Sequence, residues 1–306
     1  MKYAFFPGCS LESTAWDFDM STRALCKALG IDLADIPGWV CCGSTPAHAS
    51  NASLAVALPA LNLEKARQAG YDQVVVACAS CYARLRTANH KITQSAEERE
   101  RVHRIIEAPY DGSVRVRHIL DVLVNDFGPA EIRKCVTTPL NGIRVASYYG
   151  CLLSRPPEVV AFDDPEHPTC MDALVTAAGA EAIDWPYKTE CCGASLSIVK
   201  GDATNRLGYR LLSMAERAGA QCLVVACPLC QLNLDFRQAD AKKGKQQIPD
   251  MPVVYITQLL GLALGLTPRS LGLDALTVNA LPVFADAVAA CGAAVPAARA
   301  QKGRAS

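Results

Sequence analysis

The chain has 306 residues, room for two domains at the usual ~100–200 residues each, and its 30 basic residues balance 30 acidic ones. It lacks the long positive run needed to hold a phosphate backbone, so nucleic acid is excluded as an expected partner. Its fifteen cysteines, with a start (MKYAFFPGCS) apolar for only a few residues before Pro7 and Gly8, set the expectation of a cytoplasmic chain with metal or redox chemistry rather than a disulfide scaffold.

The apolar residues 3–6 read as a short buried strand ending just ahead of Cys9. Residues 16–30 have helix length, and beyond them Cys41 and Cys42 stand side by side before Gly43. Neighbouring Cα atoms are ~3.8 Å apart, too close for this pair to bridge readily. Residues 53–70 form a second helical segment that stops at Ala-Gly, and residues 74–77 a second strand running into the CxxC of Cys78 and Cys81. The charged run 94–104 reads as a solvated helix face, and residues 114–128 as a brief strand entering an apolar helix.

The same order then returns. Residues 145–148 are a strand ahead of Cys151, Cys191 and Cys192 repeat the pair before Gly193, residues 202–219 are a helix closing on Ala-Gly, and residues 223–226 are a strand running into Cys227 and Cys230. Residues 251–265 again join a brief strand to an apolar helix. The flanks repeat as well: KYAFFPGCS parallels RVASYYGCL, and YDQVVVACASC parallels AQCLVVACPLC. In pattern form the halves are C-x31-CC-x35-C-x2-C and C-x39-CC-x34-C-x2-C. The eight extra residues predict a surface insertion, with the Asp- and Pro-rich segment 162–170 as its candidate.

An internal repeat this detailed sets the architecture. Alternating strands and helices predict an α/β fold of two pseudo-two-fold related domains, each a small parallel sheet with flanking helices. The expected divisions are a first domain over 1–140, a second over 141–268 and an Ala-rich extension over 269–306. Within the extension, residues 280–298 contain Pro282, Asp286 and Pro296 and read as a helix packed on the body with a frayed basic tail, not as a membrane span. In open parallel sheets ligands gather outside the carboxyl ends of the strands, where these cysteines fall.

Cys26, Cys135, Cys170, Cys222 and Cys291 read as small buried hydrophobes. The other ten share order and flanks, which packing does not require. A CxxC alone fits a redox dithiol, half a zinc site or part of an iron–sulfur ligand set. A thioredoxin-type dithiol leaves the adjacent pair and the lone cysteine without a role, and a tetrahedral zinc site leaves one thiol of each five spare. An iron–sulfur cluster is soft and polynuclear, and a fifth thiolate can bridge two irons or let a cluster depart from the four-cysteine cubane. Adjacent cysteines point in different directions and can reach different irons, with Gly43 letting backbone come close. His48, six residues after Cys42, has no counterpart near Ile198 and reads as an ordinary surface or core histidine.

The doubled pattern C…CCG…CxxC resembles the tandem cysteine-rich CCG domains of the heterodisulfide reductase B-subunit family over residues 3–265, with an x39 spacing slightly longer than usual. The resemblance implies a noncubane [4Fe-4S] cluster in each half, with ligands Cys9, Cys41, Cys42, Cys78 and Cys81 in one and Cys151, Cys191, Cys192, Cys227 and Cys230 in the other. It further implies a catalytic component that reductively cleaves a disulfide, each sulfur captured at one cluster, or that works in reverse on thiol or persulfide sulfur. A methanogen heterodisulfide is anionic, so Lys or Arg side chains are expected along its cleft. The sequence has no GxGxxG fingerprint and no further cysteine run for relay cubanes. The implied partners are therefore a ferredoxin protein with cubane [4Fe-4S] clusters, similar to the C-type component of such reductases, and a flavoprotein similar to their A-type component. Relatives with the same domain pair leave a second role open: an electron-transfer subunit of a lactate, glycolate or glycerol-phosphate oxidising complex, with zinc in one half.

Overall fold

A computed structural model describes residues 1–44, 46–243 and 250–292. The first half runs β1 (Lys2–Phe6), α1 (Trp16–Ala28), β2 (Asp32–Asp35), α2 (Leu54–Gln68), β3 (Gln73–Val76), α3 (Ala79–Gln94) and β4 (Arg115–His118). After β4 come α4 (Ile119–Asp121) and a π-helical turn over Val122–Phe127. The second half runs β5 (Arg144–Tyr148), α5 (Pro157–Val160), α6 (Cys170–Ala177), β6 (Glu181–Ile183), α7 (Gly201–Arg217), β7 (Cys222–Val225), α8 (Pro228–Lys243), β8 (Val253–Tyr255) and α9 (Ile256–Ala263). A last short helix, α10 (Ala285–Ala290), buries Ala287 and Val288 against the body; the expected basic tail lies outside the described residues.

Each half holds one four-stranded parallel sheet, in the order β2-β1-β3-β4 and β6-β5-β7-β8. This is the α/β architecture with two repeated sheets that the repeat predicts. The inner strands KYAFF, QVVV, RVASY and CLVV are almost wholly buried, as parallel strands covered on both faces must be. The edge strands β2 (DLAD) and β6 (EAI) keep exposed, charged ends. That composition carries no strand signal by itself, and neither strand is evident from the sequence.

The helices follow their apolar spacing. In α1 the buried Phe18, Ser21, Thr22 and Leu25 share one face, Asp17 and Asp19 stand in the first turn and Lys27 in the last, in keeping with the helix dipole. That face covers the other half: the Phe18 ring stacks on Tyr255 at 4.0 Å between centroids, worth ~0.5–1.5 kcal/mol beyond area burial. Ser21 Oγ lies 2.7 Å from Thr257 Oγ1, and Gln258 Nε2 donates to Asp17 Oδ2 at 3.3 Å. The relation is reciprocal, because α6 packs on the Val122–Phe127 turn of the first half. One continuous hydrophobic core therefore includes both sheets.

The longer spacing of the second half does hold an insertion. Asp163 Oδ2 accepts from the N–H groups of Thr169 and Cys170, and Asp164 Oδ1 from those of Glu166 and His167. Ahead of this loop, α5 lies on α3, where Tyr82 OH donates to Val160 O at 3.0 Å and Arg86 Nε to Val159 O at 2.8 Å.

Candidate functional site

In each sheet the chain passes from the first strand to one side and then returns to the other, so a switch point lies between β1 and β3 and another between β5 and β7. The cysteines gather at these crevices. Cys9 follows β1 after Pro7 and Gly8, and Cys78 precedes the first residue of α3, with Cys81 in its first turn. The Cys41–Cys42 segment is held to α2 by the buried Asn62, whose Oδ1 accepts from Val40 N at 2.8 Å and whose Nδ2 donates to Val40 O at 2.9 Å. The second pair is held by other means: Tyr148 OH donates to Glu190 O and Asn233 Nδ2 to Cys192 O, both at 2.6 Å.

The structure brings all ten thiols together in one row. Cys41 Sγ lies 3.9 Å from Cys9 Sγ, and Cys42 Sγ 3.3 Å from Cys81 Sγ. The second half repeats the second contact as Cys192 to Cys230 at 3.6 Å, and Cys151 and Cys191 act on each other's protonation. Within each CxxC the two thiols act on each other's protonation, and the halves meet where Cys78 and Cys227 do the same. The row is exposed at Cys9 and Cys41, buried through its middle and exposed again at Cys191.

Two equivalent glycines make this crowding possible. Gly8 has φ +70° and Gly150 φ +68°; a Cβ on the first would lie 3.0 Å from Cys81 Sγ, and on the second 3.1 Å from Cys230 Sγ. The glycine after the second pair acts through its amide, Gly193 N donating to Cys191 Sγ at 3.3 Å.

Thiol-to-thiol donation sets the protonation pattern. The neighbouring Cys41 and Cys81 thiols bring Cys42 down to about 3, and the Cys151 thiol brings Cys191 down to about 6. Cys227 is held well below the usual thiol range by Cys230 and Cys78. The donors Cys41, Cys81 and Cys78 are pushed up correspondingly. Each half thus holds thiolate character ready for a soft metal.

The donor set suits a polynuclear group. Among the described residues no three or more His, Cys, Asp or Glu side chains are arranged to hold one metal ion, whereas five thiols in a row offer several metal atoms a ligand each. Two polar atoms beside the row are also buried without a partner: Arg84 Nε and Asn233 Oδ1, each three residues past the second cysteine of its CxxC. Arg84 lies close enough for its charge to favour the Cys42 thiolate. His48 is exposed, with Nδ1 accepting from Arg84 at 2.9 Å, as a surface histidine next to the row.

Of the five cysteines read as packing, Cys26, Cys170 and Cys222 are buried and Cys291 half-buried. Cys135 is a correction: it ends the Pro129–Cys135 helix on its exposed side. Sequence reasoning missed Asn62, Asn233 and Tyr148. Only Tyr148 left a signal, as a hydroxyl where the repeated flank has Phe6.

The cysteine-rich CCG domain family matches residues 3–86 and again 145–235. The chain is 31% identical over 282 residues to the 8-methylmenaquinol:fumarate reductase membrane anchor subunit of Wolinella succinogenes, covering 91% of this chain and 98% of that one. It is 32% identical over 279 residues to the B subunit of the ferredoxin:CoB-CoM heterodisulfide reductase of Methanosarcina mazei, covering 89% and 92%. At 21% identity over 244 residues it resembles the probable glycolate oxidase iron–sulfur subunit of Bacillus subtilis, covering 76% of this chain and 49% of that one. Among the described residues no helix is long and apolar enough to cross a membrane.

Proposed function

The chain belongs to the cysteine-rich CCG domain family, among the iron–sulfur proteins similar to the heterodisulfide reductase B subunit, and from that premise we propose that it is the component of an oxidoreductase complex in which a disulfide is reductively cleaved. The overall change is R–S–S–R′ + 2 e⁻ + 2 H⁺ → R–SH + R′–SH, or its reverse on thiol or persulfide sulfur. Residues 1–140 and 141–268 each form one module. The observation that carries the reading is the row of ten thiols, five from each half, meeting at Cys78 and Cys227. Cys9, Cys41, Cys42, Cys78 and Cys81 would hold one noncubane [4Fe-4S] cluster and Cys151, Cys191, Cys192, Cys227 and Cys230 the other. When bound, these groups supply one-electron steps and soft sites for sulfur.

The residues around them do the rest. Asn62, Tyr148 and Asn233 fix the backbone of the two cysteine pairs through buried hydrogen bonds. Gly8 and Gly150 let the strand ends approach the CxxC sulfurs, and Arg84 sets a positive charge beside Cys42. The five cysteines outside the row leave no further thiol set for relay clusters, so electrons enter from a C-type, ferredoxin-like partner carrying cubane clusters, itself supplied by an A-type flavoprotein.

Anaerobically isolated protein should hold about eight irons and eight acid-labile sulfides per chain, and the purified complex should turn over one member of a panel of disulfides and persulfides. The glycolate oxidase relative favours a second reading, an electron-transfer subunit without a sulfur substrate. Half that iron, one zinc and no turnover across the panel would replace the first reading with the second.

A further inference from the structure

Arg84 follows Cys81 by three residues on α3, so the two share one face of that helix. Its side chain crosses to the other arm of the first thiol set. Nη1 donates to His48 Nδ1 at 2.9 Å, and His48 N donates to Gly43 O at 3.2 Å, next to Cys42. Ser80 and Ser44, whose hydroxyls lie 2.5 Å apart, join the same two arms. The guanidinium therefore spans the segments that bring the Cys42 and Cys81 sulfurs to 3.3 Å.

Two needs of this guanidinium are unmet within the protein. Nε is buried without an acceptor, which is destabilising for any donor and more so for a charged one. Among the described residues no carboxylate forms an ion pair with it. The second half has no equivalent cation. By its spacing from the CxxC, position 84 corresponds to Asn233, which is neutral and donates through Nδ2 to Cys192 O at 2.6 Å. Position 48 corresponds to Ile198, which is 96% exposed. The local fields differ accordingly: after the neighbouring thiols, the Arg84 charge favours the Cys42 thiolate, whereas the charge acting on Cys191 is that of Glu190, which opposes it.

Reduction adds negative charge, so a cation and an N–H beside one iron–sulfur group stabilise its reduced form and raise its potential. We propose that Arg84 gives its Nε–H and its charge to the iron–sulfur group of the first half, and so holds that group at a higher reduction potential than its counterpart in the second. An electron arriving at the second-half thiol set then passes on to the first. The inference rests on the iron–sulfur reading of the ten thiols and adds an order to its one-electron steps.

The test uses full-length, anaerobically loaded protein and compares Arg84→Gln, which removes the charge, with Arg84→Lys, which keeps it. In a potentiometric titration followed by paramagnetic resonance, the wild type should show two one-electron couples, and Cys42→Ser only the lower one. Arg84→Gln should shift the higher couple downward by about tenfold in its equilibrium constant, ~59 mV for one electron, and leave the lower in place. Arg84→Lys should recover most of the shift. Iron release to a chelator should become biphasic in Arg84→Gln, half of it leaving about tenfold faster than from the wild type. Coincident wild-type couples, a shift shared equally by both, iron released at the wild-type rate, or an Arg84→Lys no better than Arg84→Gln each overturns the proposal. So does a Cys42→Ser that keeps the higher couple. Should Arg84→Gln not fold, Arg84→Met takes its place under the same criteria. Metal analysis of the wild type comes first: zinc in place of first-half iron sinks the iron–sulfur reading together with the proposal, whereas iron-loaded couples indifferent to Arg84 sink the proposal alone.

Discussion

Replacing Gly8 by alanine inserts one methyl group at the tightest point of the first thiol set. At φ +70° an L-residue pays ~1–2 kcal/mol for the left-handed conformation. Its Cβ would then lie 3.0 Å from Cys81 Sγ and 3.3 Å from Phe6 Cε1. Phe6 and Cys81 are both buried, so neither has room to withdraw, and overpacking adds ~1–3 kcal/mol. Gly30 supplies the internal control: its φ is +69°, but nothing lies within 4 Å of its would-be Cβ. Gly30→Ala should therefore cost only the conformational ~1–2 kcal/mol, and Gly8→Ala ~2–5 kcal/mol in all. Denaturant unfolding of cluster-free protein measures the difference, and iron analysis of anaerobically loaded protein should find first-half iron lost from Gly8→Ala alone. Equal costs for the two variants, with wild-type iron in both, would refute the claim that the glycine exists to let Cys81 sulfur approach the strand end.

Cys41→Ser and Cys42→Ser each exchange a soft thiolate for a poorly ionised hydroxyl, so each should lose about half the iron and alter the paramagnetic resonance spectrum, whereas Cys26→Ser should keep both; three indistinguishable proteins would make the adjacent pair a packing feature. Asp17, buried at the interface between the halves, is raised by desolvation from 3.8 to about 6. Its charge therefore disfavours the folded state: the contribution is most favourable below pH 4 and is lost as pH rises through 6, by about 3 kcal/mol at most. Asp17→Asn should flatten that part of the stability profile in urea melts between pH 4 and 7 and raise stability at pH 7; an unchanged slope would show that the carboxylate is compensated within the core.

The parts legible in the sequence are those where one residue type repeats at one spacing. The ten cysteines, the buried strands ahead of them and the helices between them could be placed because each half supplied the other's alignment. The edge strands β2 and β6 could not, since DLAD and EAI carry no strand pattern of their own and their pairing is imposed by β1 and β5. The supports around the thiols were hidden for a different reason. Asn62 in one half and Tyr148 with Asn233 in the other do the same work with unlike side chains, bonding to backbone atoms 22 to 42 residues away. His118 and Tyr255 are likewise equivalent in register but unlike in chemistry. A repeat that keeps geometry while exchanging residue types is invisible to comparison of one half with the other.

The stacking of α1 on α9 has a consequence for biosynthesis. Ser21 meets Thr257 across 236 residues of chain, and a ribosome adding ~5–20 residues per second needs roughly 12–47 seconds to make that stretch. For that interval the nascent polypeptide carries Phe18 without the Tyr255 ring it stacks on, and Cys78 without Cys227. The first half therefore waits for β8 and α9 with an apolar face uncovered, the kind of surface that aggregates in partly folded chains.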